Sequence, residues 1–407
     1  MSPQPTHDKF DVLVVGGGPA GLAAAHRAAA GGASALCVHR DAEIGRPVRT
    51  SGGSYLRDVQ RLGVPQHLYQ RIDELVFAGP TRTARIDVSD QPMVVLDITG
   101  TYRWLASLAA DAGAVVETGC QFISLRRTAD HNYRYRCTLE SASGRRDVAA
   151  RYLVEASGSS RAVLAALGQS RRVSRLGAGI EYECKYIGDA PHRATLFVGD
   201  RFCPAGYGWI FPTVAGSVRV GLGVLRPQQK AKLPELIDAF MQSDMARQLD
   251  VGAGEIIDRH VGVVPADGVP ERLVHDRVVV AGDAASMAIA TVGEGIRYCI
   301  DAGRAAGDAI ATAVQTGDDR SLEIYERNWM KQHRRNFRFG QRINVALGGY
   351  SDADWDRSLA LISQMRSREI QALLRAELSP AVWLKFGLRH PHGVWRVLRR
   401  AIAPDVG

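Results

Sequence analysis

Three clusters in this sequence combine residue types and spacings that could do chemistry. The first is Gly16, Gly18 and Gly21, a G-x-G-x-x-G set inside GGGPAGLAAAHRAAAGG. An apolar run, Phe10 to Val15, precedes it and an alanine-rich segment follows. That order predicts a buried strand, a tight turn and a helix. Gly16 permits the turn, and Gly18 lets a pyrophosphate approach the backbone. Ala20 and Gly21 allow close packing, and the helix N-terminus faces the negative charge. A second strand over Ala35 to Val38 completes a unit suited to a dinucleotide. The acid expected at its end is replaced by His39, followed by Arg40 and Asp41. Either a neutral His39 or Asp41 would take the ribose hydroxyls, whereas Arg40 would favour an adenosine phosphate.

The second cluster lies far downstream, in DRVVVAGDAASMAIATVGEGIRYCIDAGRAAGDAI. Val278 to Ala281 predicts another strand, closed by Gly282 and Asp283. Asp283 at a strand end is placed to accept hydrogen bonds from sugar or ribityl hydroxyls. Gly293, Glu294 and Gly295 precede a long helix that begins near Ile296. Backbone N–H groups at such a turn can stabilise negative charge on a reduced isoalloxazine.

The third cluster is an alternation of aromatics, Tyr207, Trp209 and Phe211, ahead of Pro212. Alternate residues share one face of a strand, so these three could line an apolar cavity or a sheet core. Gly206 to Val224 predicts two strands around a turn.

Together these stretches resemble the FAD-dependent oxidoreductases of the para-hydroxybenzoate hydroxylase type, and within them the geranylgeranyl reductase family. The resemblance rests on the N-terminal glycine motif, on PAGYGWIFPTVAGSVRVGLGV and on GDAASMAIATVGEGIRYCIDAGRAA. It spans Phe10 to about Gly317 and implies FAD as cofactor. It implies NAD(P)H, a ferredoxin or a separate reductase as electron donor. It also implies an isoprenoid chain or related hydrophobic substrate whose C=C bonds are reduced.

The same resemblance places the loop GRPVRTSGGSY beside the flavin. Many members carry P-V-R-C-G-E there; here Thr50 stands at the cysteine's place, followed by Ser51 and Gly52. Saturating an unactivated alkene takes a hydride on one carbon and a proton on the other, so a placed acid helps. A threonine hydroxyl supplies none, which leaves Tyr207, Tyr298 or an ordered water as acid. Thr50, Ser51, Gly52, Trp209 and Phe211 would then shape the substrate channel. Arg49 would bind the FAD pyrophosphate or a substrate anion. Two further departures are Ser157 before Gly158, where the family has Asp, and Ile98, where it has Arg. They favour a second reading, an FAD-dependent monooxygenase of a hydrophobic metabolite. A third is a redox-neutral flavin-dependent cyclase.

The elements that must position these residues follow from the whole chain. Its 407 residues exceed one small core, and 46% hydrophobic residues with 42 glycines suit a globular α/β enzyme. The expected fold is a Rossmann-like FAD-binding unit, built from residues 1–53, 96–168 and 271–317. It is interleaved with a mixed-sheet substrate domain (54–95 and 169–270), and residues 318–407 form a helical cap. The six cysteines form no C-x-x-C pair, so they read as free thiols of a cytoplasmic protein with no metal site. Net charge is +8, and cations sit beside aromatics in HRRNFRF and in RHPHGVWRVLRR (Arg389 to Arg400). Such tracts are either solvated faces or contacts to anionic lipid or a phosphorylated substrate. Acids interspersed with the basic residues argue against nucleic acid as a partner.

Overall fold

A computed structural model describes residues 8–377 apart from 131, 171–172, 186–187, 189, 227–228 and 252–253. The stretch Arg389 to Arg400 lies outside the described residues.

The first strand, Asp8–Val15, is the centre of an eight-stranded sheet. It pairs in parallel with Gly144–Glu155 on one side and Ala35–Val38 on the other. Val278–Val280 and Val115–Glu117 extend the parallel order outwards. Tyr135–Ser141 and Gln121–Arg127 are added antiparallel. A central strand must bury both faces, which explains the unbroken apolar run Val12 to Val15. Val12 and Val14 enter one core, and Leu13 and Val15 enter the other.

The helix Pro19–Ala30 packs along the helix Ile296–Thr316. Small residues permit this: a Cβ on Gly303 would sit 2.1 Å from the Ala20 carbonyl oxygen, and one on Gly307 2.4 Å from that of Ala24. The two cofactor motifs, almost 300 residues apart in the chain, are thus joined by one helix–helix contact.

A seven-stranded sheet runs in the order Ile256–Pro265, Leu176–Lys185, Ser217–Arg226, Gly206–Pro212, Arg193–Phe197, Glu74–Ala78 and Thr83–Asp87. All its pairs are antiparallel except Arg193–Phe197 with Glu74–Ala78. Gly53–Tyr55, Met93–Leu96 and Tyr69–Ile72 form a small third sheet. Ile180, Tyr182 and Cys184 turn one face of the large sheet towards the helices Leu233–Met241 and Asp244–Gln248. Phe197 stacks on Phe240 there, with centroids 4.0 Å apart. The alternate residues Gly177, Gly179 and Glu181 face a cavity on the opposite side. Three helices close that cavity: Arg320–Leu347, Asp352–Ile362 and Ser367–Leu374. No described helix is long and apolar enough to cross a membrane. All six cysteines are free and buried.

Candidate active site

The glycine turn forms as its spacing predicts. Gly16 has φ +116°, and a Cβ there would lie 2.2 Å from the Ala156 carbonyl oxygen, so only glycine fits. A Cβ on Gly21 would lie 1.9 Å from the Gly16 oxygen. A Cβ on Gly18, by contrast, would meet no atom within 4 Å, because its open face looks into free space. Neither Gly18 nor Gly295 provides a side-chain cap to the helix it starts. The first-turn N–H groups of both helices are therefore donors without a side-chain partner.

At the end of the second strand, the Gly17 N–H donates to His39 Nδ1 at 3.2 Å. Burial draws the His39 imidazole below its usual value, and Arg49 and Arg40 add to this against Asp41, so it is neutral at pH 7. Its Nε2 lies 3.3 Å from Asp41. Asp41 takes both terminal nitrogens of Arg49, at 2.7 and 3.1 Å. Arg40 projects into solvent, 4.0 Å from Asp41. His39 and Asp41 thus stand together beside the glycine turn, and the Arg49 guanidinium is committed to Asp41.

Asp283 sits in the short turn Gly282–Ala285. Its carboxylate makes no hydrogen bond to any described residue, and burial pushes it up to about 6. A Cβ on Gly293, at φ +65°, would likewise meet nothing within 4 Å. Glu294 turns away from this open space. It accepts hydrogen bonds from the Ser54 hydroxyl at 3.3 Å and from Arg297 Nε at 2.8 Å. Arg375 and Asp58, 2.6 Å apart, complete a buried ionic cluster that fixes the turn before Ile296. An open glycine cradle, two helix starts with free donors and an orphan acceptor between them fit FAD. Gly16, Gly18, Asp41 or His39, Asp283, Gly293 and Gly295 are the residues that would hold it.

Next to this space is a cavity of about 560 Å³, within the usual range for small-molecule sites. Thr50, Ser51, Tyr207 and Trp209 line it, as do Arg49 and Gly293 at its flavin-side end. Alternating glycines pave its floor. The Trp209 ring lies on them so closely that a Cβ on Gly221 would be 2.4 Å from Cε2. Tyr207 donates its hydroxyl to the Val292 carbonyl at 2.5 Å, and burial raises its phenol well above the usual value. Phe211 and Gly52 are not brought to the cavity wall. Phe211 packs against Gly53, and Gly52 backs onto the Leu96 oxygen, 2.8 Å from where a Cβ would be. Tyr298 is not brought there either. It is 3% exposed, its hydroxyl accepts from Arg297 at 2.8 Å, and Trp329, His333 and Phe337 pack on its ring.

The sequence reading passed over the ionisable residues of the cavity wall. Glu181 accepts from Trp209 Nε1 at 2.6 Å and pairs with His260 Nδ1 at 2.9 Å. His260 Nε2 lies 3.2 Å from Asp258, which is half-exposed, without the alignment of a hydrogen bond. Burial opposes the charged imidazolium, but Glu181 and Asp258 outweigh it and raise the His260 pKa. Arg219 stands 3.9 Å from Glu181 and donates to the Ser51 and Leu96 carbonyls at 3.1 Å. One signal was legible: in LGAGIEYECK the period of two that carries Gly177 and Gly179 also carries Glu181 onto the cavity face. At the two departures noted above, the Ser157 hydroxyl accepts from the Ala162 N–H at 2.8 Å, and Ile98 is core.

Comparison with known proteins gives the family and the fold. Residues 9–339 match the family described as FAD binding domain. A digeranylgeranylglycerophospholipid reductase 2 of Methanothermobacter thermautotrophicus is 30% identical over 385 residues, covering 91% of this chain and 95% of that protein. A geranylgeranyl bacteriochlorophyll reductase-like protein from Thermoplasma acidophilum superposes with a TM-score of 0.84 at 22% identity, covering 97% of this chain and all of the other. A flavin-dependent brominase superposes with a TM-score of 0.69 at 16% identity, covering 97% and 98%. The fold is therefore shared by proteins of different chemistry. The chain belongs to the FAD-binding domain family and is an FAD-dependent oxidoreductase.

Proposed function

We propose that the protein saturates C=C bonds of a geranylgeranyl-type isoprenoid chain. The observation that carries this reading is the apolar cavity running from the Thr50–Ser51 loop and Gly293 to the C-terminal helices. Its apolar lining suits a long hydrocarbon, and the Methanothermobacter relative named above is a digeranylgeranylglycerophospholipid reductase. Bound and reduced, FAD supplies the hydride. The chain's own residues do the rest. Trp209, flat on its glycine floor and pinned by Glu181, holds a prenyl segment against the loop. The helices exclude water from it.

The second carbon needs a proton. Thr50 supplies no acid, and the Tyr207 hydroxyl is spent on Val292. The paired series Asp258, His260, Glu181 reaches the cavity wall and is the proton source in this reading. Electrons come from NAD(P)H or from a separate reductase or ferredoxin. The protein works in the cytoplasm and meets its substrate at a membrane surface.

Incubation of the FAD-loaded protein with reductant and a geranylgeranyl lipid, followed by mass spectrometry, tests the reading. A gain of two hydrogens per double bond, with or without air, supports it. A gain of oxygen only in air replaces it with monooxygenation.

A further inference from the structure

The loop from Ala290 to Glu294 lies between the cofactor space and the cavity. Ala290, Thr291, Val292 and Gly293 line the cavity. Gly293 is also a member of the open glycine cradle, and Gly295 starts the helix Ile296–Thr316 just beyond it. A bridge between Ile289 and Glu294 closes the loop on itself.

The polar groups of this loop are tied to separate parts of the cavity wall. Asn344, on the helix Arg320–Leu347, donates from Nδ2 to the Ala290 carbonyl at 2.8 Å. Its Oδ1 accepts from Arg175 Nε at 3.1 Å, which fixes the orientation of the amide. The buried Thr291 hydroxyl donates to the Leu374 carbonyl at 2.6 Å. Leu374 is the last residue of the helix Ser367–Leu374, so its carbonyl has no donor within that helix. Tyr207 holds Val292, and Glu294 joins the ionic cluster that contains Arg375, next in the chain to Leu374. A Cβ on Gly340 would lie 2.9 Å from Ile289 Cδ1, so the helix Arg320–Leu347 also packs on the base of the loop. A loop shift of about 1 Å would take the Asn344 and Thr291 bonds past the usual limit of about 3.2 Å unless the helices followed. Flavin seat and cavity wall therefore move together.

We propose that Thr291 and Asn344 are positioning residues through which bound FAD holds the cavity-closing helices in place, so that the cavity is completed only when the flavin is seated. They act through the loop and not on the reacting atoms. The coupling is reciprocal: whatever bound FAD contributes to ordering these helices, a filled cavity returns to FAD binding. The inference rests on FAD as cofactor and is independent of which apolar molecule the cavity takes.

Hydrogen exchange read by mass spectrometry, on apo-protein and on FAD-saturated protein without substrate, tests it. Amides of Ser367–Leu374 and of 341–347 should exchange at least about tenfold more slowly with FAD, whereas those of Leu233–Met241, on the far face of the sheet, should change less than about twofold. In Thr291→Val the FAD-dependent ratio for Ser367–Leu374 should fall to within about twofold of unity, and Thr291→Ser, which keeps the hydroxyl, should retain it. Asn344→Asp, which keeps the acceptor for Arg175 and loses the donor to Ala290, should lose the ratio for 341–347. Equal slowing in all these segments would be simple stabilisation of the whole fold by a ligand and would overturn the proposal. So would a Thr291→Val protein whose Ser367–Leu374 amides exchange faster by the same factor with and without FAD, because Thr291 would then be a structural contact only. No chain is present in this experiment, so a failure of the alkene-reduction reading leaves its outcome unchanged.

Discussion

Replacing Asp283 with Asn separates the cost of an orphan carboxylate from its use. Burial raises this carboxyl from 3.8 to about 6 in the cofactor-free chain, a difference of about 2 units. At about 1.36 kcal/mol per unit, the charged form costs the folded apo-protein about 3 kcal/mol, and partial access to water trims this towards ~2. The sign follows from linkage. Below pH ~4 the group is protonated both folded and unfolded, so there is no cost. The cost grows as pH rises from ~4 through ~6 and is constant above. Asn carries none of it. Apo Asp283→Asn should therefore be more stable than the natural apo-protein by about 2–3 kcal/mol at pH 7.5, and by about half that at pH 5. Its FAD affinity should move the other way. Losing a charge-assisted hydrogen bond of about 1.5–3 kcal/mol weakens binding roughly ten- to a hundredfold. Urea unfolding of apo-protein at the two pH values and fluorescence titration of FAD measure both. A variant that is less stable than the natural apo-protein at pH 7.5, or that binds FAD equally well, would refute the assignment of Asp283 to a flavin hydroxyl.

Other expectations follow from the same geometry. Glu181→Gln removes the larger of the two carboxylate influences that raise His260 and leaves Asp258 alone against burial; the alkaline limb of the activity profile should move to lower pH, and an unmoved limb would exclude His260 from proton delivery. The natural pair also contributes stability that is present at acid pH and fades as pH rises through the raised His260 value, so denaturant midpoints of the variant and natural protein should converge on the alkaline side. Gly221→Val would drive a side chain into Trp209, with a loss of about 1–3 kcal/mol in stability and loss of long-chain turnover while FAD still binds. Tyr298→Phe should keep turnover within about twofold and lose about 1–2 kcal/mol of stability, because its hydroxyl serves Arg297 rather than the cavity. A hundredfold loss of turnover would return Tyr298 to the chemistry. Thr50→Cys should speed alkene reduction if proton supply limits the natural enzyme, and an unchanged rate would place the slow step elsewhere.

The cofactor half of the fold was legible because its signals are local. Glycines at fixed offsets, an apolar run buried on both faces and small residues on two helices each have a single physical reading, and the strand, turn and helix formed where they were expected. The site at the far side of the flavin space was less legible because it is assembled across the sheet. Trp209, Glu181 and His260 come from three strands whose register no local pattern reveals, and only the glycine alternation hinted at it. Tyr298 shows the converse. It follows the Gly-Glu-Gly turn by three residues, yet the helix rotation carries it into the Arg297 cluster instead of the cavity.

Alkene reduction is tested most directly in a single anaerobic turnover. The flavoprotein is reduced with dithionite, freed of excess reductant and mixed with a geranylgeranyl lipid, and the visible absorbance of oxidised flavin is followed. The account predicts reoxidation without oxygen, matched by one saturated double bond per flavin. A flavin that stays reduced until air is admitted would contradict it.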